Sequence, residues 1–537
     1  MTNQTNKRGV AVPLMIAVAL ALGIGIGIFF GSRGQGRTIN IIGRDRPTSK
    51  IGSILSLIDS HYVDSINVDT LTEEFIPKLL SKLDPHSVYL PPVTAKATGE
   101  NLEGRFDGIG VVFNMATDTV IIQNVVLGGP SEKVGIIAGD RIITINDSIV
   151  AGKKIPQNDI VKMLRGERGT KVKLGIERQD TDKMLSFDVV RDKINVKSLS
   201  AAFMIDENIG YIKLLQFSRT SHEEFVKAVK ELKAQGMTHL IFDLSANTGG
   251  FLDQAILIAN EFLPAGSVIV YTEGRAVGRE QTVADGNGVL IGMDVALLID
   301  EVSASSSEIV AGALQDNDIG TIIGRRSYGK GLVQQQIKFD DGSALNLTIA
   351  RYYTPTGRCI QRPYQHGEKY DEDIVQRYLR NELFSSDSIP HNDSLRYMTP
   401  KGKVVYGGGG IIPDIFVPMD TSHLSTPMRE ISVNSLIFSY TLRYTDSHRK
   451  ELAQIKTLSQ AQDFIAHNGN AIYDDFTAYI RAKGVKGKIT SVTEELLIRC
   501  LLNGYILRNT PLEDNAYYYM IYPIYDLVTE AINHIKS

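Results

Sequence analysis

The chain is 537 residues long, more than one ordinary core accommodates, and its 43% apolar and 22% charged residues are those of a globular protein, neither disordered nor wholly membrane-embedded. With 57 basic residues against 61 acidic ones the formal charge is −4, which leaves no electrostatic footprint for nucleic acid and sets that partner aside. Two cysteines, Cys359 and Cys500, exclude a disulfide framework and a zinc cluster and leave either two isolated thiols or one bridge.

Residues 1–8 form a short polar flank. Gly9–Ser32 then carries no charge, and Val10–Phe30 is almost wholly apolar. As a helix this stretch would reach roughly 36 Å, enough to cross a hydrocarbon core of about 30 Å. No small-x-small pair and no cysteine follow it, so a retained single-pass anchor is expected over a cleaved signal peptide. Gly23, Gly27 and Gly31 make two overlapping GxxxG repeats, a pattern able to pair anchors into a homo-oligomer. Lys7 and Arg8 precede the span, whereas Arg33, Arg37, Arg44, Arg46 and Lys50 follow it; counted literally, these charges oppose an outward placement of the bulk of the chain.

Residues 33–48 read as a tether. In 49–98 the spacing of Ile51, Ile54, Leu55 and Ile58, and of Leu71, Phe75, Leu79 and Leu80, predicts helix, closed by a turn at Leu83-Asp84-Pro85-His86-Ser87. From 99 to 193 short β-runs alternate with glycine turns, with one late helix near Asp159–Arg165. The order of these segments resembles a PDZ domain. Gly108-Ile109-Gly110-Val111 resembles its carboxylate-binding loop, and Ala138-Gly139-Asp140-Arg141-Ile142-Ile143-Thr144-Ile145-Asn146 its most diagnostic phrase. Such a loop captures a C-terminal carboxylate on backbone N–H groups while the peptide adds as a strand. Arg191–Lys197 reads as the linker that leaves this module.

Between 194 and 416 strands and helices alternate, which predicts an α/β core with a buried sheet. Residues 417–537 predict helices at Leu452–His467, Tyr473–Lys483, Thr493–Asn503 and Tyr517–Ile535, with no motif; dimerisation and docking of an adaptor both remain open for them.

Three segments of the α/β region bear on chemistry. Asp243-Leu244-Ser245-Ala246-Asn247-Thr248-Gly249-Gly250 is a strand entering a glycine turn, where backbone N–H groups converge as an oxyanion site requires. Ser303-Ala304-Ser305-Ser306-Ser307-Glu308 places a hydroxyl at a helix N-terminus, although Ser305-x-x-Glu308 is also an ordinary capping box. Tyr328-Gly329-Lys330-Gly331 holds a lysine that burial could keep neutral near physiological pH. Each alone has a bland reading: a turn, a cap, a solvated lysine.

Taken in order, the three resemble the carboxy-terminal processing (tail-specific) protease family, over about residues 45–416. The resemblance includes the Leu83–Ser87 turn, Ile309-Val310-Ala311-Gly312-Ala313-Leu314-Gln315-Asp316, Leu347–Pro355 and Gly408–Asp414. It implies an α/β protease core of the ClpP/crotonase-like type with an inserted β-rich PDZ domain, an N-terminal helical segment and a C-terminal helical extension. It further implies a Ser–Lys serine endopeptidase at the inner membrane, its catalytic part on the periplasmic side, acting on protein substrates with apolar C-termini and needing no cofactor or metal. The family's nucleophile-to-lysine spacing selects Ser305 and Lys330 as nucleophile and base. Gln334 matches the position that orients the base; the N–H groups of Ser306 and of Gly249 or Gly250 match the oxyanion hole; Asp316 matches an acidic position read here as structural support. The chain departs from the family at Ser245, where arginine is usual, and at Ser306, where alanine is usual and whose hydroxyl could compete for Lys330. The alternatives weighed are a trypsin-like periplasmic protease with PDZ modules, whose motif order is wrong here, and a catalytically silent PDZ scaffold.

Overall fold

The structure is a computed structural model that describes residues 50–115, 118–126, 128–178, 181, 183–364, 370–421 and 425–537. The expected flank, anchor and tether lie outside these residues; among the described ones no helix is long and apolar enough to cross a membrane. The chain divides after Phe75. In the first unit the apolar spacing gives a helix at Lys50–His61, none of whose residues is buried, and a second helix, Val68–Leu80, begins before the division.

Within the second unit, the β-runs after residue 99 form one antiparallel sheet in the order Val111–Asn114, Val120–Val125, Arg141–Ile145, Lys171–Glu177, Leu185–Val190. Ile122, Ile142, Ile145, Ile160, Leu174 and Ile176 close its core against the helix Gln157–Leu164. Buried Asp140, in the diagnostic phrase, takes two hydrogen bonds from Arg178 at 2.7 and 2.8 Å. The expected linker contains a strand. Asp192–Asn195 pairs antiparallel with Arg105–Gly108, so a two-stranded ribbon carries the chain into and out of this module. Buried Arg191 donates to the carbonyls of Met163 and Leu164, capping the module's helix.

The α/β core is built on a six-stranded sheet ordered Leu199–Met204, Ile209–Leu214, His239–Asp243, Asp294–Ile299, Thr321–Gly324, Ile415–Phe416, parallel except for the first pair. Its central strands are apolar on both sides, as a doubly covered parallel sheet demands. Leu240, Phe242 and Leu297 pack under the helices Ser221–Ala234, Leu252–Asn260 and Ser306–Asp316. Ile241, Ala296 and Leu298 face the other way, against Leu527, Val528 and Ala531 of the last helix, Asp526–Lys536. A second, antiparallel sheet joins Leu332–Lys338, Ala344–Tyr353, Val268–Glu273, Glu280–Val283 and Val88–Leu90. Pairing of Val88–Leu90 with Ala344–Tyr353 draws the Asp84–Ser87 turn into the core.

The C-terminal extension is helical, with boundaries other than those expected. Helices run over Thr426–Val433, Leu436–Leu452, Leu458–Ala482, Val492–Leu507, Asp514–Ile521 and Asp526–Lys536. The expected helix Leu452–His467 straddles a break, because Thr457 and Gln460 form a capping box that starts a new helix. That helix runs through Gly469, which costs about 1 kcal/mol relative to alanine, because Phe464, Ile472, Phe476 and Ile480 bury along it.

Candidate active site

Ser305 ends the turn that leaves the strand Asp294–Ile299 and caps the helix Ser306–Asp316. Its backbone sits at φ 56° and ψ −111°, a conformation that costs energy for any residue with a β-carbon and that marks functional turns. Asp300 holds the turn: its carboxylate accepts from Val302 and Ser303 N–H at 3.0 Å and from Ala246 N–H at 2.9 Å, tying the serine turn to the glycine turn. Gly249 is packed so closely that a β-carbon there would lie 2.8 Å from Ser305 Cβ and 3.0 Å from the Ser306 nitrogen. Only glycine brings the two turns this near.

Glu308 is more than a cap. Its buried carboxylate accepts from Ser305 N–H at 2.8 Å and from Lys330 N–H at 2.9 Å on one oxygen. The other oxygen accepts from Gly329 N–H at 2.7 Å and from the Ser327 hydroxyl. Burial pushes this carboxyl up, and the four donors pull it back toward the anion. On the carbonyl side, the buried Tyr352 hydroxyl reaches both the Lys330 and the Ser305 carbonyl oxygens, the latter at 3.2 Å. The backbones of Ser305 and Lys330 therefore share one carboxylate oxygen and one phenol.

The Lys330 side chain is half-buried. Burial holds its ammonium below the ordinary lysine value, against the opposing pull of the Glu308 and Asp84 carboxylates. Asp84 accepts from the N–H groups of His86 and Ser87 and from the Ser87 and Thr348 hydroxyls. Gln334 donates to Thr348 Oγ1 at 3.3 Å, so it reaches Asp84 through one threonine. His86 packs edge-on to Tyr370 and is brought down to about 4, first by burial and then by Lys330, partly offset by Asp84.

The N–H of Gly249 donates to Asn247 Oδ1 at 2.9 Å, so of the two glycines it is Gly250 whose N–H has no partner among the described residues. The Ser306 N–H is likewise unpaired there, as the first helical N–H must be. The Ser306 hydroxyl does not compete for the lysine: it lies against the Gly250 and Phe251 carbonyls, at 3.1 and 3.3 Å. Asp316, at the far end of the helix from Ser305, is fully buried and pairs with Arg358 at 2.6 Å while accepting from Thr356. Ser245 accepts from Lys213 Nζ at 2.6 Å, so a lysine of the neighbouring strand brings a cation to this turn. In the β-rich module, Gly108-Ile109-Gly110-Val111 leads into the strand Val111–Asn114, which is the first strand in the order of its sheet; Gly110 has φ 74°. Cys359 and Cys500 are free thiols.

Tyr352, Asp300, Asp84 and His86 are residues that the sequence left without a role, and Glu308 was read only as a helix cap. Glu308 had a local explanation that concealed the others. Asp84, His86 and Tyr352 stood in phrases whose wording was noticed, and only the fold brings them to the lysine.

A family model described as "Peptidase family S41" matches residues 208–374, and one described as "PDZ domain" matches residues 108–189. A carboxy-terminal-processing protease of Bartonella bacilliformis is 36% identical over 318 residues, covering 58% of this chain and 72% of that protein. The carboxy-terminal processing protease CtpB of Bacillus subtilis is 33% identical over 325 residues, covering 59% and 66%. Among solved structures, a photosystem II D1 C-terminal processing protease aligns over 72% of this chain and 95% of its own, at 22% identity and a TM-score of 0.35.

Proposed function

Because the chain belongs to the carboxy-terminal processing proteases, serine-type peptidases of family S41 that here carry a PDZ domain, we propose that it cleaves protein substrates through Ser305 as nucleophile and Lys330 as general base. The observation that carries this reading is the double clamp: Glu308 and Tyr352 hold both backbones to common atoms, and burial favours a neutral lysine. Neutral Lys330 takes the Ser305 proton as Oγ attacks the scissile carbonyl. The N–H groups of Ser306 and Gly250 receive the oxyanion, an effect worth about 3 kcal/mol per donor. The lysine then passes its proton to the leaving amine, and water, deprotonated by the same lysine, releases the acyl group from Ser305. Gln334 and Asp84 orient and polarise the base and do not touch the reacting atoms.

Substrates enter by their C-termini. An apolar tail adds alongside the edge strand Val111–Asn114, with its carboxylate on the N–H groups of Gly108–Val111. The uncharged stretch at residues 9–32 anchors the chain in the inner membrane, with the protease on the periplasmic side. A core of ClpP/crotonase-like type agrees with the parallel sheet and its covering helices. The test compares wild type, Ser305→Ala and Lys330→Arg on a folded protein bearing an apolar C-terminal tail. Loss of cleavage in both variants supports the pair, since arginine stays charged; cleavage surviving in Ser305→Ala refutes it, and cleavage by none favours the silent scaffold.

A further inference from the structure

The C-terminal extension lies beyond both family models, which end at residues 189 and 374. Its last helix nevertheless covers the second face of the catalytic sheet, with Leu527, Val528 and Ala531 buried against Tyr211, Ile241, Ala296 and Leu298. Immediately before that helix stands Tyr525, fixed because its carbonyl accepts the N–H groups of Val528 and Thr529 at 2.9 and 3.0 Å. Its hydroxyl meets the hydroxyl of Ser245.

Ser245 is the first residue of the turn that ends in Gly249 and Gly250. Its hydroxyl has one hydrogen, which points to Asp243 Oδ1 at 2.6 Å, and it already accepts from Lys213 Nζ at 2.6 Å. Tyr525 must therefore be the donor in the remaining contact. Ser245 and its partners on the strands are buried, and Tyr525 is half-buried: Lys213 also donates to Asp243 at 2.9 Å and to the Ser245 carbonyl at 2.7 Å, and Tyr211 donates to the second Asp243 oxygen at 2.7 Å. The next residue, Ala246, sits at φ 55°, and Asn247 passes the constraint onward, its carbonyl accepting from Ala304 N–H at 3.0 Å and the Ser307 hydroxyl at 2.8 Å. One continuous polar path thus runs from Tyr525 through Ser245 to both turns of the site.

We propose that Tyr525 is a positioning residue for proteolysis: its hydroxyl, delivered by the C-terminal extension, fixes the Ser245–Gly250 turn so that the Gly250 N–H meets the oxyanion. The extension is then part of the protease and not an appended docking module. This rests on the Ser305–Lys330 reading. A turn holding one oxyanion donor need shift only a fraction of an ångström to lose part of that donor's effect.

The test is Tyr525→Phe, which keeps the ring and removes only the hydroxyl. The probe is the same tailed protein substrate, together with a peptidyl aldehyde built on the site that the wild type cleaves in it. The expected result is a fall in kcat of about tenfold with KM within about twofold. Aldehyde affinity should fall in parallel with kcat, because only the aldehyde adduct carries an oxyanion, while affinity for the cleaved product stays constant. Wild-type kcat and aldehyde affinity in Tyr525→Phe would overturn the proposal, and so would an equal loss of product affinity, which is general loosening. If Tyr525→Phe does not fold, Ser245→Ala removes the same contact together with the hydroxyl's bonds to Lys213 and Asp243; wild-type kcat and aldehyde affinity in it overturn the proposal, and a parallel fall of both at constant product affinity supports it. Ser305→Ala runs alongside: activity surviving there sinks the underlying reading, whereas an inactive Ser305→Ala beside a wild-type-like Tyr525→Phe sinks only this inference.

Discussion

Replacing Glu308 by glutamine tests how the site is held together. The carboxylate serves four donors, two on each oxygen. The amide has one oxygen, so its NH2 group must face one of the two pairs. Ser305 and Lys330 present N–H groups that cannot reverse, whereas the Ser327 hydroxyl can turn and accept. The amide therefore settles with its NH2 toward Ser327 and Gly329, orphaning the Gly329 N–H and leaving two bonds that now end on a neutral acceptor. An orphaned buried donor costs about 1–3 kcal/mol, and each bond weakened from charged to neutral about 1 kcal/mol more. Relief from burying a charge offsets part of this, for a net loss of about 3 kcal/mol in chemical denaturation. The variant also removes an anion that raises the Lys330 pKa. The lysine then loses its proton at lower pH, and the acid limb of the kcat/KM profile moves down. A limb that stays in place or moves up, in a variant that has lost stability, would refute the claim that Lys330 is the base sensing Glu308. Unchanged stability would refute the four-donor arrangement itself. Glu308→Asp, which keeps the charge and shortens the reach, should lose stability without the downward shift.

Ser306→Ala should keep kcat within about twofold and lose about 1 kcal/mol of stability, since its N–H and not its hydroxyl serves the site; a large kcat loss would return the hydroxyl to the chemistry. Asp316→Asn strips the partner from the fully buried Arg358 and should cost about 3–5 kcal/mol without moving the pH limb. Gly249→Ala should abolish turnover of the tailed substrate, because its β-carbon meets Ser305 Cβ at 2.8 Å on a φ of 100°. His86 has a folded pKa lowered to about 4 from 6.5, so the stabilisation it gives is complete above pH 6.5 and is lost as pH falls toward 4. Discounted for partial exposure this is about 2 kcal/mol, and denaturation of His86→Gln across that range should lack this component.

The division between what was legible in the sequence and what was not follows chain distance. The β-rich module was readable because its signals are local: glycine turns, short runs of alternating residues and one phrase around Asp140. Ser305 and Lys330 were singled out through the spacing of the family that the sequence resembles, and the structure ties both backbones to Glu308 and Tyr352. The capping pattern of Ser305 and Glu308 was also read correctly, since Glu308 does accept the Ser305 N–H. That local reading accounted for one of four donors, and the other three arrive from Ser327, Gly329 and Lys330 across a change of sheet. The linker hid its strand for a related reason: Asp192–Asn195 carries no local sign of pairing, and its partner Arg105–Gly108 lies at the other end of the module.

The same reasoning explains why the extension looked featureless. Tyr517, Tyr518, Tyr519, Tyr522 and Tyr525 crowd one short stretch, and tyrosine at helical spacing has a sufficient account as packing. The half-buried Tyr525 also has a partner for its hydroxyl, and that partner was unreadable because Ser245 lies 280 residues upstream. Ser245 was the other half of the same signal: it stood out because the family that the sequence resembles usually has arginine there. Lys213 and Tyr525 together fill the space and satisfy the hydroxyl from two different directions. A protease whose oxyanion turn is completed by its own C-terminal helix cannot lose that helix and keep the turn in place. Removal of residues 526–537 should therefore lower kcat at least as far as Tyr525→Phe does, and a truncated chain with full turnover would show that the turn holds itself.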